Sequence, residues 1–366
     1  MTKFILRCLI FSLPILVLFA LPFFIFVRSG EALPISSVVH IQQEVSTSTI
    51  YMSGLTNAGD WYYKVTSLVR RNPEITVFGT SRTLKIRSDF FEHPELFYNA
   101  GYNDNASMTT SDLPAFIEAV PADAKLKVIL LDVSGFMGSP DEPHTVYRND
   151  FFESADTFLS SGWRTIYRYV FDGGFSLAKV DAATSSIGLE AIVNDFGYRS
   201  DGSLARTATA LMKPSAIASQ IAENVSDINA GFLPAFFEKN ADTRNLSAID
   251  EFLQKCKDRG ISVIGYLSPF AQEIHTAMSS LQNAYGAEYR NEPAILDQIF
   301  EKYGYHFYDI RDIKTIGSSD MELYDAYHPT ERATLRMLAY LAAREPELSP
   351  YLDRISLQKQ IADAPF

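Results

Sequence analysis

Cysteine is nearly absent from this sequence. Cys8 and Cys256 are the only two, and one lies in an apolar N-terminal run, so no internal disulfide framework holds the chain together. No C-x-x-C or H-E-x-x-H spacing occurs, and the six histidines are scattered. That leaves no metal-site pattern, and neither a metal nor another cofactor is expected. Positive charge is also short: 32 Lys and Arg stand against 44 Asp and Glu, a net charge of −12. With no basic cluster to offset it, nucleic-acid binding and electrostatic docking on anionic lipid are disfavoured. There is no internal repeat or low-complexity tract.

What the chain does have is one long apolar run. Cys8 to Val27, "CLIFSLPILVLFALPFFIFV", carries no charged residue. As a helix rising about 1.5 Å per residue it reaches roughly 30 Å, the thickness of a bilayer core. Pro14 and Pro22 interrupt it, which spanning helices tolerate. Lys3 and Arg7 precede the run, while Arg28 is soon followed by Glu31. This bias puts the N-terminus in the cytoplasm and the rest outside, as a single pass through the inner (cytoplasmic) membrane. A cleaved signal peptide has an apolar region of about 7–15 residues ending in small side chains. Here the run closes on bulky "FFIFV", so a retained anchor is expected. Residues 1–28 then form the tip and anchor, and 29–57, rich in Ser, Thr and Pro without periodicity, a tether. Residues 58–366 form the folded body.

In that body, "DWYYKVTSLVRR" (60–71) has helical apolar spacing and stops at Asn72-Pro73. "ITVFG" (75–79), "LFYNA" (96–100), "KVILLDV" (127–133), "ISVIGYL" (261–267) and "YHFYDI" (305–310) read as strands. Several are apolar without alternation, as in a parallel sheet covered on both faces. Helical patterns separate them, at 247–260, 294–304 and 330–344, the last opened by Thr330 as N-cap. The predicted class is a three-layer α/β/α parallel sheet of flavodoxin-like kind with right-handed crossovers. An insertion at about 140–245 is too long for a simple connection. Within it Asp201-Gly202 signals a hairpin, and its many aromatics read first as core, with stacking on sugars the alternative.

Two segments carry chemistry. "ITVFGTSRT" (75–83) ends a buried strand at Gly79 and presents Ser81, flanked by Arg82. Ser81 would be either a nucleophile at a strand-to-helix turn or merely a helix cap. "ELYDAYHPTERAT" (322–334) places Asp325 three residues before His328, just ahead of the final helix. A serine hydroxyl needs a base, and that base needs its second ring nitrogen held by a carboxylate. The plain alternative is a turn aspartate and a packed histidine. His40, His93, His144, His275 and His306 lack a matching carboxylate pattern and read as structural or exposed.

A serine after the first strand, with Asp-x-x-His before the last helix, resembles the layout of the SGNH, or GDSL-like, hydrolases. "VFGTSRT" is similar to their first block and "DAYHPT" to their last. The resemblance implies Ser81 as nucleophile, His328 as base and Asp325 as its orienter. It also implies an oxyanion hole from the N–H groups of Ser81 and Gly101, the latter in "FYNAGYNDNAS". The third block of that superfamily normally brings an asparagine donor, but here the strand ends "LLDVSGFMGS". Asp132 cannot donate while ionised, and its charge would oppose an oxyanion. Asn103 or Asn105, just past Gly101, stands as a substitute donor. Losing one donor costs about 10²–10³ in rate.

The anchor, the G-[ST]-S-[RE] block and the insertion are closer still to membrane-tethered proteins of surface-polymer acylation. These include the alginate O-acetylation and teichoic-acid D-alanyl transfer types. That likeness implies acyl transfer to a cell-surface polysaccharide outside the cytoplasm, beside a multi-spanning membrane acyltransferase. Arg82, by its positive charge beside Ser81, would hold an anionic substrate or simply begin the helix. An esterase of the same fold, or a catalytically silent anchored scaffold, are the alternatives.

Overall fold

A computed structural model describes residues 2–55, 60–102, 112–134, 155–172, 174–205, 213–232 and 243–364. The chain divides into two compact units. The first comprises Met1–Tyr63, Val146–Ser200 and Leu204–Thr207; the second comprises Lys64–Thr145, Asp201–Ser203 and Ala208–Phe366. In chain order the strands are β1 (Ile50–Tyr51), β2 (Ile75–Phe78), β3 (Phe97–Asn99), β4 (Val128–Asp132) and β5 (Ser186–Ile187). They are followed by β6 (Gly197–Tyr198), β7 (Leu204–Ala205), β8 (Ser262–Leu267) and β9 (His306–Asp309).

The second unit is α/β. Its five strands, each at a position expected from the sequence, form one sheet in the order β3-β2-β4-β8-β9. Every neighbouring pair is parallel, with Ile75 opposite Phe97 on one side and Val128 on the other. The apolar runs lack alternation because both faces are covered. Ile75, Val77, Val128, Leu130, Ile264 and Tyr266 share a core with Ile274, Leu335 and Leu338 from helices Gln272–Ser280 and Glu331–Ala342. The residues between them face the other way. Phe78 stacks on Phe116 at 4.1 Å, and a Cβ on Gly265 would stand 2.3 Å from the Phe300 ring, so only glycine lets the helix Ala284–Glu301 come so close. Strand order reverses at β2, which lies between β3 and β4. In such sheets ligands gather beyond the carboxyl ends of the strands at this reversal, and Ser81 follows β2 there.

The first unit holds the N-terminal helix Thr2–Arg28, 27 residues long. Among the described residues no helix is long and apolar enough to cross a membrane. The side chains of 5–10 and 15–17, much of the apolar run, lie outside the described ones. The last turns of this helix are core: Ile25 and Phe26 are 0% and 3% exposed and pack with Phe158, Ile166 and Leu189. Within the expected tether, the described residues 29–55 are structured. They contain the helix Ile35–His40, a π-helical turn Ile41–Val45, and β1, which pairs parallel with β5 and antiparallel with β6. Glu31 ties the segment down, accepting from Ser53 Oγ at 2.6 Å, Gly54 N at 2.7 Å and Leu189 N at 2.7 Å. Burial raises its pKa against the pull of those bonds. Elements of two to six residues are too short to leave a periodic signal, which is why the sequence reads here as irregular. Within the expected insertion, β6 and β7 pair antiparallel across Asp201-Gly202 as a hairpin, while 135–154, 206–212 and 233–242 lie outside the described residues.

Candidate active site

Ser81, His328 and Asp325 belong to the second unit and meet in one hydrogen-bonded line. Ser81 opens a three-residue 3-10 turn, Ser81–Thr83, in place of the α-helix its position suggested. Its hydroxyl caps nothing there: it lies 2.8 Å from His328 Nε2. His328 and Asp325 sit in the loop before the helix Glu331–Ala342, whose N-cap is Thr330 as the sequence suggested, its hydroxyl accepting from Ala333 N at 3.4 Å. That loop is closed by Tyr324 N donating to His328 O at 2.8 Å and by a bridge between Leu323 and Pro329.

Asp325 shapes the loop and orients the ring at once. Its Oδ1 accepts from the backbone N–H of Tyr327 and of His328, each at 2.8 Å. Its Oδ2 lies 2.7 Å from His328 Nδ1. A carboxylate can only accept, so Nδ1 carries the proton and Nε2 of the neutral ring is left to accept from Ser81. Burial alone would raise the Asp325 pKa, but the His328 ring and the two N–H groups outweigh it and hold it below the ordinary value. Asp325 and His328 side chains are 22% and 20% exposed, so the pair is sheltered yet reachable.

Close approach at the end of β2 is allowed by glycine. A Cβ on Gly79 would stand 2.7 Å from both Asp132 Cβ and Thr83 Cγ2. Asp132, at the end of β4, is fully buried and committed: it accepts from Ser134 N at 3.0 Å, from the Ser134 hydroxyl, and from Ser268 Oγ at 2.7 Å. Arg82 is not held out toward a substrate as expected. It is 3% exposed, with its guanidinium carbon 4.2 Å from the Phe270 ring centroid. Burial lowers its pKa, while the charges of Asp132 and Asp325, with Tyr289 and Tyr327, pull the other way. Arg82 is thus a buried cation held against an aromatic face.

The expected oxyanion donors fare differently. No described residue accepts from the Ser81 N–H, which opens the 3-10 turn. The Gly101 N–H is already used: it donates to Asn99 Oδ1 at 2.9 Å. Asn99 is fixed in that orientation because its Nδ2 donates to Thr83 O and Ile86 O, both at 2.8 Å. Gly101 therefore has a packing role, since a Cβ there would meet Thr83 Oγ1 at 2.0 Å. Asn103 and Asn105 lie outside the described residues. The supporting residues Asn99, Ser134, Ser268 and Phe270 were not singled out from sequence. Only Asn99 left a signal there, as a polar residue inside the apolar strand "LFYNA".

The remaining histidines have separate partners. His275 Nδ1 is 2.7 Å from Tyr289 Oη, His306 Nδ1 is 2.8 Å from Glu345, and His40 and His93 pair with Glu44 and Glu95. His144 lies outside the described residues. Among the described residues, no group of three or more His, Cys, Asp and Glu side chains is placed to hold a metal.

No protein-family model matches the chain, and no curated protein is similar enough to count as a match. The functional reading rests on the site itself.

Proposed function

We propose that this chain is a membrane-anchored, extracytoplasmic acyltransferase of the SGNH-like type, acting at oxygen on a cell-surface polysaccharide. The observation that carries the reading is the continuous line from Ser81 Oγ through the His328 ring to Asp325, at 2.8 and 2.7 Å. Its position, beyond the strand end where sheet order reverses, is where α/β sheets bind ligands.

In this reading Ser81 Oγ attacks the carbonyl carbon of an acyl donor while His328 Nε2 takes the hydroxyl proton. The tetrahedral oxyanion is met by the Ser81 N–H. Collapse breaks the bond to the leaving group, which departs with the proton from His328 and leaves the acyl group on Ser81. An acceptor hydroxyl then attacks the acyl-serine, His328 taking its proton and returning it to Ser81 Oγ as the new ester leaves. With water as acceptor the same residues make an esterase. Asp325 holds the ring and stabilises the imidazolium formed in both halves. The anchor would be the helix Thr2–Arg28, crossing the cytoplasmic membrane with the body outside. A multi-spanning acyltransferase in that membrane would supply the acyl group.

A second reading is favoured by one observation. With the Gly101 N–H committed and Asp132 in the place of an asparagine, only the Ser81 N–H is left, among the described residues, of the oxyanion donors that the resemblance implies. A silent, anchored polysaccharide-assembly scaffold would need no more than that.

The full chain in detergent, treated with a fluorophosphonate probe and mapped by mass spectrometry, separates the two. The enzyme reading expects an adduct on Ser81, abolished in Ser81→Ala and strongly reduced in His328→Ala. Folded protein without an adduct would favour the scaffold.

A further inference from the structure

The helix Pro214–Ala230 lies between β4 and β8 in chain order, inside the expected insertion, and belongs to the second unit. Ile217, Ile221 and Ile228 are buried in the core that also holds Tyr327 and Phe270. They recur at the spacing of one helical face, and Asn224 falls on the same face between them. A polar side chain on an apolar stripe costs stability unless it is hydrogen-bonded. Asn224 is bonded at both ends of its amide. Its Nδ2 donates to Gln220 O at 2.8 Å, and its Oδ1 accepts from the Tyr327 hydroxyl at 2.5 Å. The first bond fixes which way the amide faces, and so aims the oxygen at Tyr327.

Tyr327 lies inside the loop that carries Asp325 and His328, and it is buried. Its backbone N–H donates to Asp325 Oδ1 at 2.8 Å, the same oxygen that the His328 N–H uses. Its ring meets Phe270 edge-on, with centroids 6.1 Å apart. One residue therefore joins the carboxylate that orients the base to a helix partner 103 positions away. The loop has another tie, Ala271 N donating to Ala326 O at 3.2 Å, but it runs through backbone and is indifferent to side chains. Packing alone would be served by phenylalanine at 327. What the hydroxyl adds is a fixed direction.

We propose that Tyr327 and Asn224 are positioning residues for the reaction. The bond between them seats the Asp325–His328 loop against the helix Pro214–Ala230, and so holds the His328 ring at its hydrogen-bonding distance from Ser81. The inserted helix thereby completes a site whose three reacting or orienting residues all lie outside it. This rests on the reading of Ser81, His328 and Asp325 given above, and deepens it.

The full chain in detergent is labelled over a range of fluorophosphonate concentrations as native, Tyr327→Phe, Asn224→Ala and the double variant. Ile228→Val, which trims the same helix face, runs alongside. A misplacement near 1 Å can cost about 10²-fold, so losing one tie among several should lower the maximal labelling rate by about tenfold in each single variant. The half-saturating probe concentration should stay as it is. The double variant should label no more slowly than Tyr327→Phe, because both changes break one bond, and Ile228→Val should label at the native rate. A native rate in Tyr327→Phe, losses that multiply in the double variant, or an equal loss in Ile228→Val would overturn the proposal and leave the acyl-transfer reading standing. Hydrogen exchange on the same samples, read by mass spectrometry, does not depend on acylation. In Tyr327→Phe, peptides covering 214–230 and 323–330 should lose protection together. If the native chain takes no label, the acyl-transfer reading falls and exchange alone decides the tie: joint loss upholds it, and unchanged protection of 323–330 overturns it.

Discussion

Asp325 uses both carboxylate oxygens, one on the backbone of its own loop and one on the His328 ring. Asp325→Asn can keep the loop bonds, but its amide can present an N–H to Nδ1 and so favour the wrong tautomer. Fluorophosphonate labelling should slow by roughly 10²–10⁴-fold, the usual worth of a positioned general base, while the urea midpoint moves little. Asp201 makes a different prediction. Burial opposes its ionisation, but Ser88 N at 2.8 Å, Ser203 Oγ at 2.7 Å and Ser203 N at 2.9 Å prevail and depress its pKa. Below the unfolded aspartate value of about 3.9 the unfolded chain then binds more protons than the folded one. The stability Asp201 contributes is therefore complete above that value and lost as pH falls through the depressed one. Urea unfolding across the acid range should show a shallower decline for Asp201→Asn than for the native chain.

At the scale of elements, the loop after β2 depends on Asn99 of β3. Asn99→Ala would orphan Ile86 O and the Gly101 N–H, and would leave Thr83 O with only the Ile86 N–H at 2.9 Å. At about 1–3 kcal/mol for each buried group left unpaired, the loss should be on the order of 3 kcal/mol after relaxation. Denaturant titration would measure it, and Ser81 labelling should slow alongside. Gly101→Ala should destabilise by about 1–3 kcal/mol through the clash with Thr83, an overpacking cost that the same titration would register. These elements also show what could be read in advance. The five strands were legible because interior parallel strands are apolar runs, and Ser81, Asp325 and His328 because the chemistry demands those types in those places. The Gly101 N–H direction was not, since it is decided by a side chain whose own amide is fixed by two distant carbonyls. Nor was the burial of Arg82, which depends on Phe270, far along the chain.

For the molecule as a whole, the N-terminal helix cannot be removed without cost to the first unit. Cutting before residue 30 deletes Ile25 and Phe26 from their cluster and uncovers Phe158, Ile166 and Leu189. The truncated chain should aggregate or expose apolar dye-binding surface while the Ser81 site, built within the second unit, still labels. Dye binding and labelling on one preparation would check both halves. The hydrogen bond between Ser81 and His328 joins residues 247 positions apart, and that separation governs timing. During synthesis the hydroxyl emerges long before its base. A chain halted anywhere short of His328 carries Ser81 without its ring partner, so on the proposed reading it should take no fluorophosphonate label. Labelling should appear only once the chain has passed His328.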